Sequence, residues 1–473
     1  MDLRSRLRSI VHPPGAAVLR NELTYEPDTG RYEASIDLDR VADVLGGRVV
    51  ANPFGRALII DRRYESDRFH GAQRVGDCEV ADNDTLRLLD PTLPPPAPRA
   101  SEEADRGAGV FASGRAGVCA GAPPDGATLF VDLETTGLSG GAGTVAFLVG
   151  CGWFDMGAFQ VRQFLLTSYA HERALLDAVA SCFDSASLLV TYNGKTFDVP
   201  VMETRWMFHR MRMPLESVRH FDMLHPARRL WRSREPSMEA RARGGADAGE
   251  DGGCRLGTLE RVLCDVKRVG DVPGLEIPGR YFKFVRSGDA RPLEPVLEHN
   301  RLDLISLAAV AAHAVRLVEA GHPACRDAAE ALALGRVYER AGSIDRAIHA
   351  YRAAAADPAV HVDVTAEAIY RLAVRFRRDR RFAEAADCWR RILELKQGRI
   401  GRRSTLLAPL RQVAVEALAI HHEHRERDYA GARELALQLL DEADGPSARV
   451  KVETTRRRLA RLDRKMSTAP LLD

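Results

Sequence analysis

The sequence predicts an α/β domain, built as a mixed sheet with flanking helices. A small β-rich unit precedes it and an all-α region of helical repeats follows it. Three strand-like runs succeed one another from residue 129 and then alternate with helical runs, a pattern typical of a mixed sheet covered by helices. After residue 321 the pattern is wholly helical and repeats itself. The length of 473 residues suits roughly two to four domains.

The composition is that of an ordinary globular protein. Apolar residues make up 45% and charged residues 28%, which excludes a fibrous or wholly disordered chain. No apolar run reaches the ~20 residues of a membrane-spanning helix, and residues 1–19 carry charges and prolines where a signal peptide has an apolar stretch. The cysteines are scattered without a CxxC pair, which favours reduced thiols. We therefore expect a cytoplasmic protein.

The N-terminal part, residues 1–90, holds short alternating runs such as 35–38 and 57–60, separated by glycine and proline. These features predict a small β-rich unit. Residues 91–126 are rich in proline, glycine, alanine and charge, and we predict a disordered linker there.

The central domain is predicted to span residues 127–320. Its strand-like runs are 129–133, 144–154, 159–166, 188–192 and 220–224, and its helical runs are 171–183, a helix from Asp198, 256–264 and 293–319. Residues 233–253, which are rich in glycine, alanine and charge, interrupt this pattern. They predict a disordered surface insertion.

Residues 321–473 are predicted to form tetratricopeptide-like repeats. Small and large side chains recur at the same offsets in two copies, Leu334, Gly335, Tyr338, Ala347 and Tyr351 in the first and Leu372, Ala373, Phe376, Ala385 and Trp389 in the second. An unrelated helical bundle would pack such residues too. The region carries a net charge of +7, so it could extend a nucleic-acid track or bind a protein partner, although arginine-rich repeats also carry charge for solubility.

Four acids carry the predicted chemistry. Asp132 and Glu134 end an apolar strand, and because residues two apart on a strand point to one face, their carboxylates converge. Asp198 follows the next predicted strand and begins a helix. Asp303 lies on the long apolar helix over 293–319, with His299 one turn earlier on the same face.

Carboxylate oxygens favour Mg²⁺ or Mn²⁺ over zinc or copper. Two such ions about 4 Å apart can stabilise the attacking and leaving oxygens of a phosphoryl displacement. His299 would be placed to take a proton from the attacking water. Each element alone has an ordinary structural explanation, such as a helix N-cap for Asp198.

The motifs Asp132-Leu-Glu134-Thr-Thr-Gly, Tyr192-Asn193-Gly-Lys-Thr-Phe197-Asp198 and His299-Asn300-Arg-Leu-Asp303 resemble those of the DEDD superfamily of 3′→5′ exonucleases. Within it they are similar to the YprB-like ribonuclease H-like proteins. Residues 256–260 and 278–281 also look like that family, and the resemblance covers roughly residues 127–320.

The resemblance implies a ribonuclease H-like fold in which Asp132, Glu134, Asp198 and Asp303 hold two Mg²⁺ or Mn²⁺ ions and the enzyme hydrolyses phosphodiester bonds. It also implies nucleic-acid contacts by Thr135, Thr136, Asn193 and Lys195. Asn193 is expected to orient the loop before Asp198, and Lys195 either meets a phosphate or stays solvated.

The third motif departs from the family in one respect. His299 stands four residues before Asp303, whereas in the histidine-bearing branch of the superfamily the histidine lies one residue further away. Tyrosine fills the present slot in the other branch. The assignment of His299 as general base therefore rests on this chain's own helix geometry.

Other functions compatible with the sequence are a non-catalytic nucleic-acid-binding module and an adaptor that works through its repeats. Residues 201–234, with eight arginines against three acids, either line a groove for a single strand or form a solvated helix face. The sequence does not determine whether the substrate is DNA or RNA. It also does not determine whether the enzyme is an exonuclease or an endonuclease.

Overall fold

The structure is a computed structural model of the 473-residue chain. It describes residues 36–81, 84–95, 122–137, 143–232, 253–356, 362–396, 406–441 and 448–468. Most of the predicted linker and nearly all of the predicted insertion lie outside the described residues, as does the start of the predicted N-terminal unit.

One large sheet organises the described chain. Its strands are β1 (Arg48–Asn52), β2 (Gly55–Tyr64), β5 (Ala127–Thr135), β6 (Ala146–Asp155), β7 (Ala158–Leu165), β8 (Ala186–Thr191) and β9 (Arg219–Asp222). They are arranged in the order β1-β2-β7-β6-β5-β8-β9. The pairs from β1 to β5 are antiparallel, and β8 and β9 continue parallel to β5. The predicted mixed sheet is thus confirmed.

The N-terminal residues contribute to this same sheet. Helix α1 (Leu38–Leu45) begins at Asp37, whose side chain accepts hydrogen bonds from two main-chain N–H groups of the first turn. The β1–β2 hairpin follows it, and β2 pairs with β7 from Leu58↔Leu165 to Tyr64↔Phe159. A separate small strand pair, β3 (Phe69–His70) and β4 (Gln73–Arg74), comes next. The predicted β-rich character is confirmed, and its two longer strands extend the central sheet.

Helices cover both faces of the sheet. They are α2 (Thr85–Leu89), α3 (Glu172–Asp184), α4 (Asp198–Phe208), α5 (Leu224–Trp231), α6 (Leu256–Cys264), α7 (Ile277–Ser287) and α8 (Glu294–Ala320). Along β5, Leu129 and Val131 pack in the core formed with α3 and α7, whereas Phe130 packs in the core formed with α8. Strand alternation therefore turns Asp132 and Glu134 toward α8.

The C-terminal region is helical, as predicted, and its paired helices fit the predicted repeats. They are α9 (Ala328–Arg340), α10 (Ile344–Ala354), α11 (Val362–Arg378), α12 (Phe382–Glu394), α13 (Leu407–His421), α14 (Tyr429–Asp441) and α15 (Ala448–Thr468). A Cβ at Gly335 would lie 2.4 Å from the Tyr351 ring, so glycine lets α9 and α10 approach closely. The hydroxyl of Tyr338 donates to the main-chain oxygen of Val318 at 2.6 Å, which joins the repeats to α8.

No helix in the described ranges is long and apolar enough to cross a membrane. The cysteines in those ranges are free thiols.

Candidate active site

The site begins on β5, at the centre of the sheet. Asp132 pairs in register with Gly150 of β6. A Cβ at Gly150 would lie 2.2 Å from Oδ1 of Asn300, so the absence of a side chain there lets α8 lie close against the strands. This approach brings the α8 residues within hydrogen-bonding distance of Asp132.

Asn300 holds the Asp132 carboxylate. It is fully buried, and its Nδ2 donates to the carboxylate of Asp132 at 2.8 Å and to the main-chain oxygen of Asp132 at 3.2 Å. Its Oδ1 accepts from Nε2 of Gln163 on β7 at 2.8 Å. Asn300 belongs to a predicted motif, but its role as a brace between three elements was not predicted, because a partner on a distant strand leaves no local signal.

Asp198 lies in the first turn of α4 and is buried. The loop before it is fixed by Asp222, whose carboxylate accepts from the main-chain N–H groups of Asn193 (2.8 Å) and Lys195 (3.0 Å). Asn193 has a φ of 68°, a left-handed conformation that asparagine tolerates better than most residues. Burial, and then the charge of Asp222, raise the pKa of Asp198 to about 7. Sequence reasoning missed Asp222.

The four predicted carboxylates come together in one electrostatically coupled cluster. Burial raises the pKa of Asp132 well above its ordinary value, and the negative charges of the other three carboxylates raise it further. The pKa of Glu134 is likewise raised, first by burial and then by Asp303 and Asp198. Such mutual repulsion favours either protonation or a neutralising cation.

Asp303 and His299 lie on α8 at the open side of the cluster. Nε2 of His299 is 3.5 Å from Asp303, and its Nδ1 is 2.7 Å from Oδ1 of Asp271. Burial alone would raise the pKa of Asp271, but the hydrogen bond with His299 and the charges of His299 and Arg268 outweigh it and lower that pKa. Asp271 therefore orients His299, a relation that sequence reasoning missed because the two residues are 28 positions apart.

Arg268 connects three acids around the site. Its guanidinium forms two hydrogen bonds to Glu260, at 2.7 and 2.8 Å, and further ones to Asp271 at 3.1 Å and Asp303 at 2.5 Å. Arginine remains charged in proteins, so this side chain brings a fixed positive charge beside Asp303. Sequence reasoning missed Arg268, because it belongs to none of the predicted motifs.

The residues predicted to contact nucleic acid have protein partners. Thr135 is buried and donates to the main-chain oxygen of Gly137, and the hydroxyl of Thr136 accepts from the N–H of Val145. The Oδ1 of Asn193 accepts from Thr196 at 2.6 Å. Nζ of Lys195 lies 3.3 Å from Asp90, a buried residue of the N-terminal part. Their contacts with nucleic acid remain a prediction.

Several arginines of the basic segment 201–234 have structural partners. Arg205 is buried against Glu172, Arg219 donates to the main-chain oxygen of Pro94, and Arg229 donates to that of Leu89. These three therefore stabilise packing rather than form a free basic face.

The donor set suits a hard cation, since it consists of carboxylate oxygens held in mutual repulsion. In their present positions, the histidine, cysteine, aspartate and glutamate side chains of the described ranges form no group of three or more already arranged around a metal ion. Two of the four carboxylates are instead engaged by neighbouring donors, Asp132 by Asn300 and Asp303 by Arg268.

Comparison with known proteins agrees with the fold. The family described as the RNase_H superfamily matches residues 129–315. The uncharacterized protein YprB of Bacillus subtilis (strain 168) is 31% identical over 340 residues, which cover 72% of this chain and 75% of YprB. The chain belongs to the ribonuclease H superfamily. Membership of the ribonuclease H superfamily indicates a nuclease that acts on nucleic acid, and ribonuclease H-like nucleases commonly use divalent metal ions.

Proposed function

We propose that the protein is a divalent-metal-dependent 3′→5′ exonuclease of the DEDD type. The proposal is supported by four carboxylates from three separate parts of the chain, since the negative charges of Glu134, Asp198 and Asp303 all act on Asp132. A structural ion pair would need one acid beside one base. Four acids sharing one site suit the stabilisation of phosphodiester hydrolysis through cations.

Asp132, Glu134, Asp198 and Asp303 would hold two Mg²⁺ or Mn²⁺ ions. When bound, such ions lower the pKa of water and stabilise negative charge on a phosphoryl group. The chain's own part is to fix the acids: Asn300 holds Asp132 against β6, and Asp222 holds the loop that leads to Asp198. Release of Asp303 from Arg268 would make Oδ1 of Asp303 available as well.

His299 is the proposed general base. Its Nδ1 is held by Asp271, which leaves Nε2 directed toward Asp303 and the cluster. A base oriented by a carboxylate can accept a proton from an attacking water and carry the resulting positive charge. Thr136 and Lys195 lie within the first two motifs, in the loops that follow β5 and β8. We propose that these loops contact the nucleic-acid strand.

The C-terminal helices are proposed to be tetratricopeptide-like repeats that bind a protein partner or lengthen the nucleic-acid track. Their small and aromatic residues pack as that repeat requires, with Ala347, Tyr351, Ala385 and Trp389 buried.

The test is cleavage of 5′-labelled single-stranded DNA and RNA in Mg²⁺ or Mn²⁺, with circular strands as substrates for endonuclease action. We expect stepwise shortening of the linear strands, no cleavage of the circles, and loss of activity by at least about 10²-fold in Asp132→Asn and Asp303→Asn. Asp155→Asn, at the exposed turn between β6 and β7, is the matched control and should stay active. Full activity in both site variants would refute the assignment.

One observation favours a second candidate, a non-catalytic nucleic-acid-binding protein. Arg268 neutralises Asp303 through a direct ion pair, and a permanent pair of this kind would substitute for a cation. Calorimetric titration with Mn²⁺ separates the two: binding of two ions supports the nuclease, and an absence of binding supports the second candidate.

A further inference from the structure

A cavity opens directly beside the carboxylate cluster. It has a volume of about 620 Å³ and lies between α6, the loop that follows α6, and α8. Its walls include Arg255, Arg261, Lys267 and Arg268, and His299 and Asp303 lie along it. A space of this size falls in the range of small-molecule pockets. On this scale it would take about one or two nucleotide units of a single strand.

The cations of this cavity fall into two groups. Arg268 is almost buried, with 11% of its side chain exposed, and its charge is matched by Glu260, Asp271 and Asp303. Arg261 and Lys267 stand at the outer wall and are exposed. Lys267 has a distant ion pair, 3.7 Å from Asp265, with 79% of its side chain in solvent. The inner wall therefore has three acids around one arginine and an excess of negative charge, whereas the outer wall is positive.

Exposed apolar side chains stand next to both outer cations in the sequence. Val262 follows Arg261 on α6 and is 56% exposed, and Val269 lies two residues after Lys267 and is 96% exposed. Proteins that bind single strands without sequence preference follow the backbone with a positively charged groove, and the two valines flank that groove's cations without lining the cavity. A solvated helix face explains scattered cations, but it does not explain why Arg261 and Lys267 line the same cavity as His299 and Asp303.

We propose that this cavity binds the phosphodiester backbone of a single nucleic-acid strand, with Arg261 and Lys267 contacting its phosphates, and guides that strand to His299 and Asp303. The proposal rests on the proposed nuclease function and adds to it the location of the strand. The cations act as point charges on phosphates, so binding is independent of base sequence and sensitive to salt.

The experiment measures binding without cleavage. Fluorescence anisotropy of a labelled single-stranded oligothymidylate is recorded in EDTA at several salt concentrations, for the full chain and for Arg261→Ala/Lys267→Ala. We expect the double variant to bind about tenfold more weakly at low salt, with a salt slope smaller by about 0.7 for each lost phosphate contact. Arg261→Glu should weaken binding further, since it places a negative charge against the strand.

The matched control is Arg40→Ala/Lys283→Ala. It removes two exposed cations from α1 and α7, helices that cover the other face of the sheet. Equal affinity of the cavity variant and this control would overturn the inference. Binding of inorganic phosphate alone is measured for the wild type and for Arg261→Ala/Lys267→Ala at the same ionic strength; if the wild type binds phosphate as tightly as the oligothymidylate, the cavity is a free-phosphate site and the strand proposal fails.

The two proposals fail separately. A protein whose cavity variant loses strand binding, but which cleaves nothing in Mn²⁺, contradicts the nuclease proposal alone. If the wild type is a nuclease and its cavity variant binds and cleaves like the control, only the proposal that Arg261 and Lys267 bind the nucleic-acid strand is contradicted.

Discussion

Single side chains decide how the acids of the site are held. Asp132 is fixed by Asn300, and His299 is fixed by Asp271 through a 2.7 Å hydrogen bond. Asp271 does not belong to any of the predicted motifs, yet its carboxylate determines which imidazole nitrogen faces the cluster. A general base needs the correct orientation as well as a suitable pKa.

We expect Asp271→Asn to lower kcat by about 10- to 100-fold with little change in KM, because the amide can still meet the ring but supports the wrong tautomer and no longer stabilises its positive charge. Steady-state kinetics on a single-stranded substrate checks this. Asp289→Asn, which removes a carboxylate paired only locally with Arg291, serves as the control. If His299→Ala and the double variant with Asp271→Asn differ greatly in kcat, the two residues do not act as one unit.

Among the elements, α13 to α15 depend on one buried acid. The π-helical turn His422–Glu426 extends α13 and carries Glu423, whose side chain is 0% exposed. It accepts hydrogen bonds from Arg461 at 2.7 and 2.8 Å and from Lys465 at 2.9 Å, both on α15. A single carboxylate thus joins the last helix to the turn.

The pKa of Glu423 is lowered to about 2, first by the hydrogen bond with Arg461. Because the folded pKa lies below the ordinary value of 4.5, the stabilisation is complete above about pH 5 and is lost as the pH falls toward 2. We expect Glu423→Gln to lower the free energy of unfolding at pH 7 by about 1 kcal/mol, since its partners are partly solvated. The difference should shrink in acid. Urea unfolding followed by circular dichroism, with Glu453→Gln as the exposed control, measures it.

At the scale of the whole molecule, sheet and repeats share one core. The apolar cluster on the α8 face includes Phe130 and Val190 of the sheet, Leu304 to Val318 of α8, and Tyr338 and Tyr351 of the repeats. A boundary between separate domains would interrupt such packing. The helical region is therefore a continuation of the sheet's own interior.

We expect thermal unfolding of the full chain to show one cooperative transition that includes sheet and repeats. A chain ending at Ala320 should unfold at a lower temperature and self-associate, because the apolar face of α8 loses its cover. Differential scanning calorimetry and light scattering test this. Two well-separated transitions, or an unchanged midpoint in the shorter chain, would contradict the shared core.

The sequence predicts those parts of the molecule that local periodicity determines. Alternation along a strand places Asp132 and Glu134 on one face, and helical spacing places His299 beside Asp303. The residues that hold these side chains in place cannot be predicted in this way. Asp271, Arg268 and Asp222 contact partners that are distant in sequence. Pairing of β2 with β7 also joins residues about a hundred positions apart. For this reason the sequence alone predicts a separate N-terminal unit, although β1 and β2 belong to the central sheet. Lys195, predicted either to meet a phosphate or to stay solvated, lies beside Asp90, and its contact with nucleic acid stays a prediction.

The odd-numbered residues of β5 pack in one core and the even-numbered residues face the other. This alternation limits where the chain can accept an insertion. A single inserted residue between Phe130 and Asp132 would exchange the faces, sending both acids into the hydrocarbon packing around α3 and presenting leucine to α8. We therefore expect insertions to be tolerated better at the exposed turn beside Asp155 than inside β5.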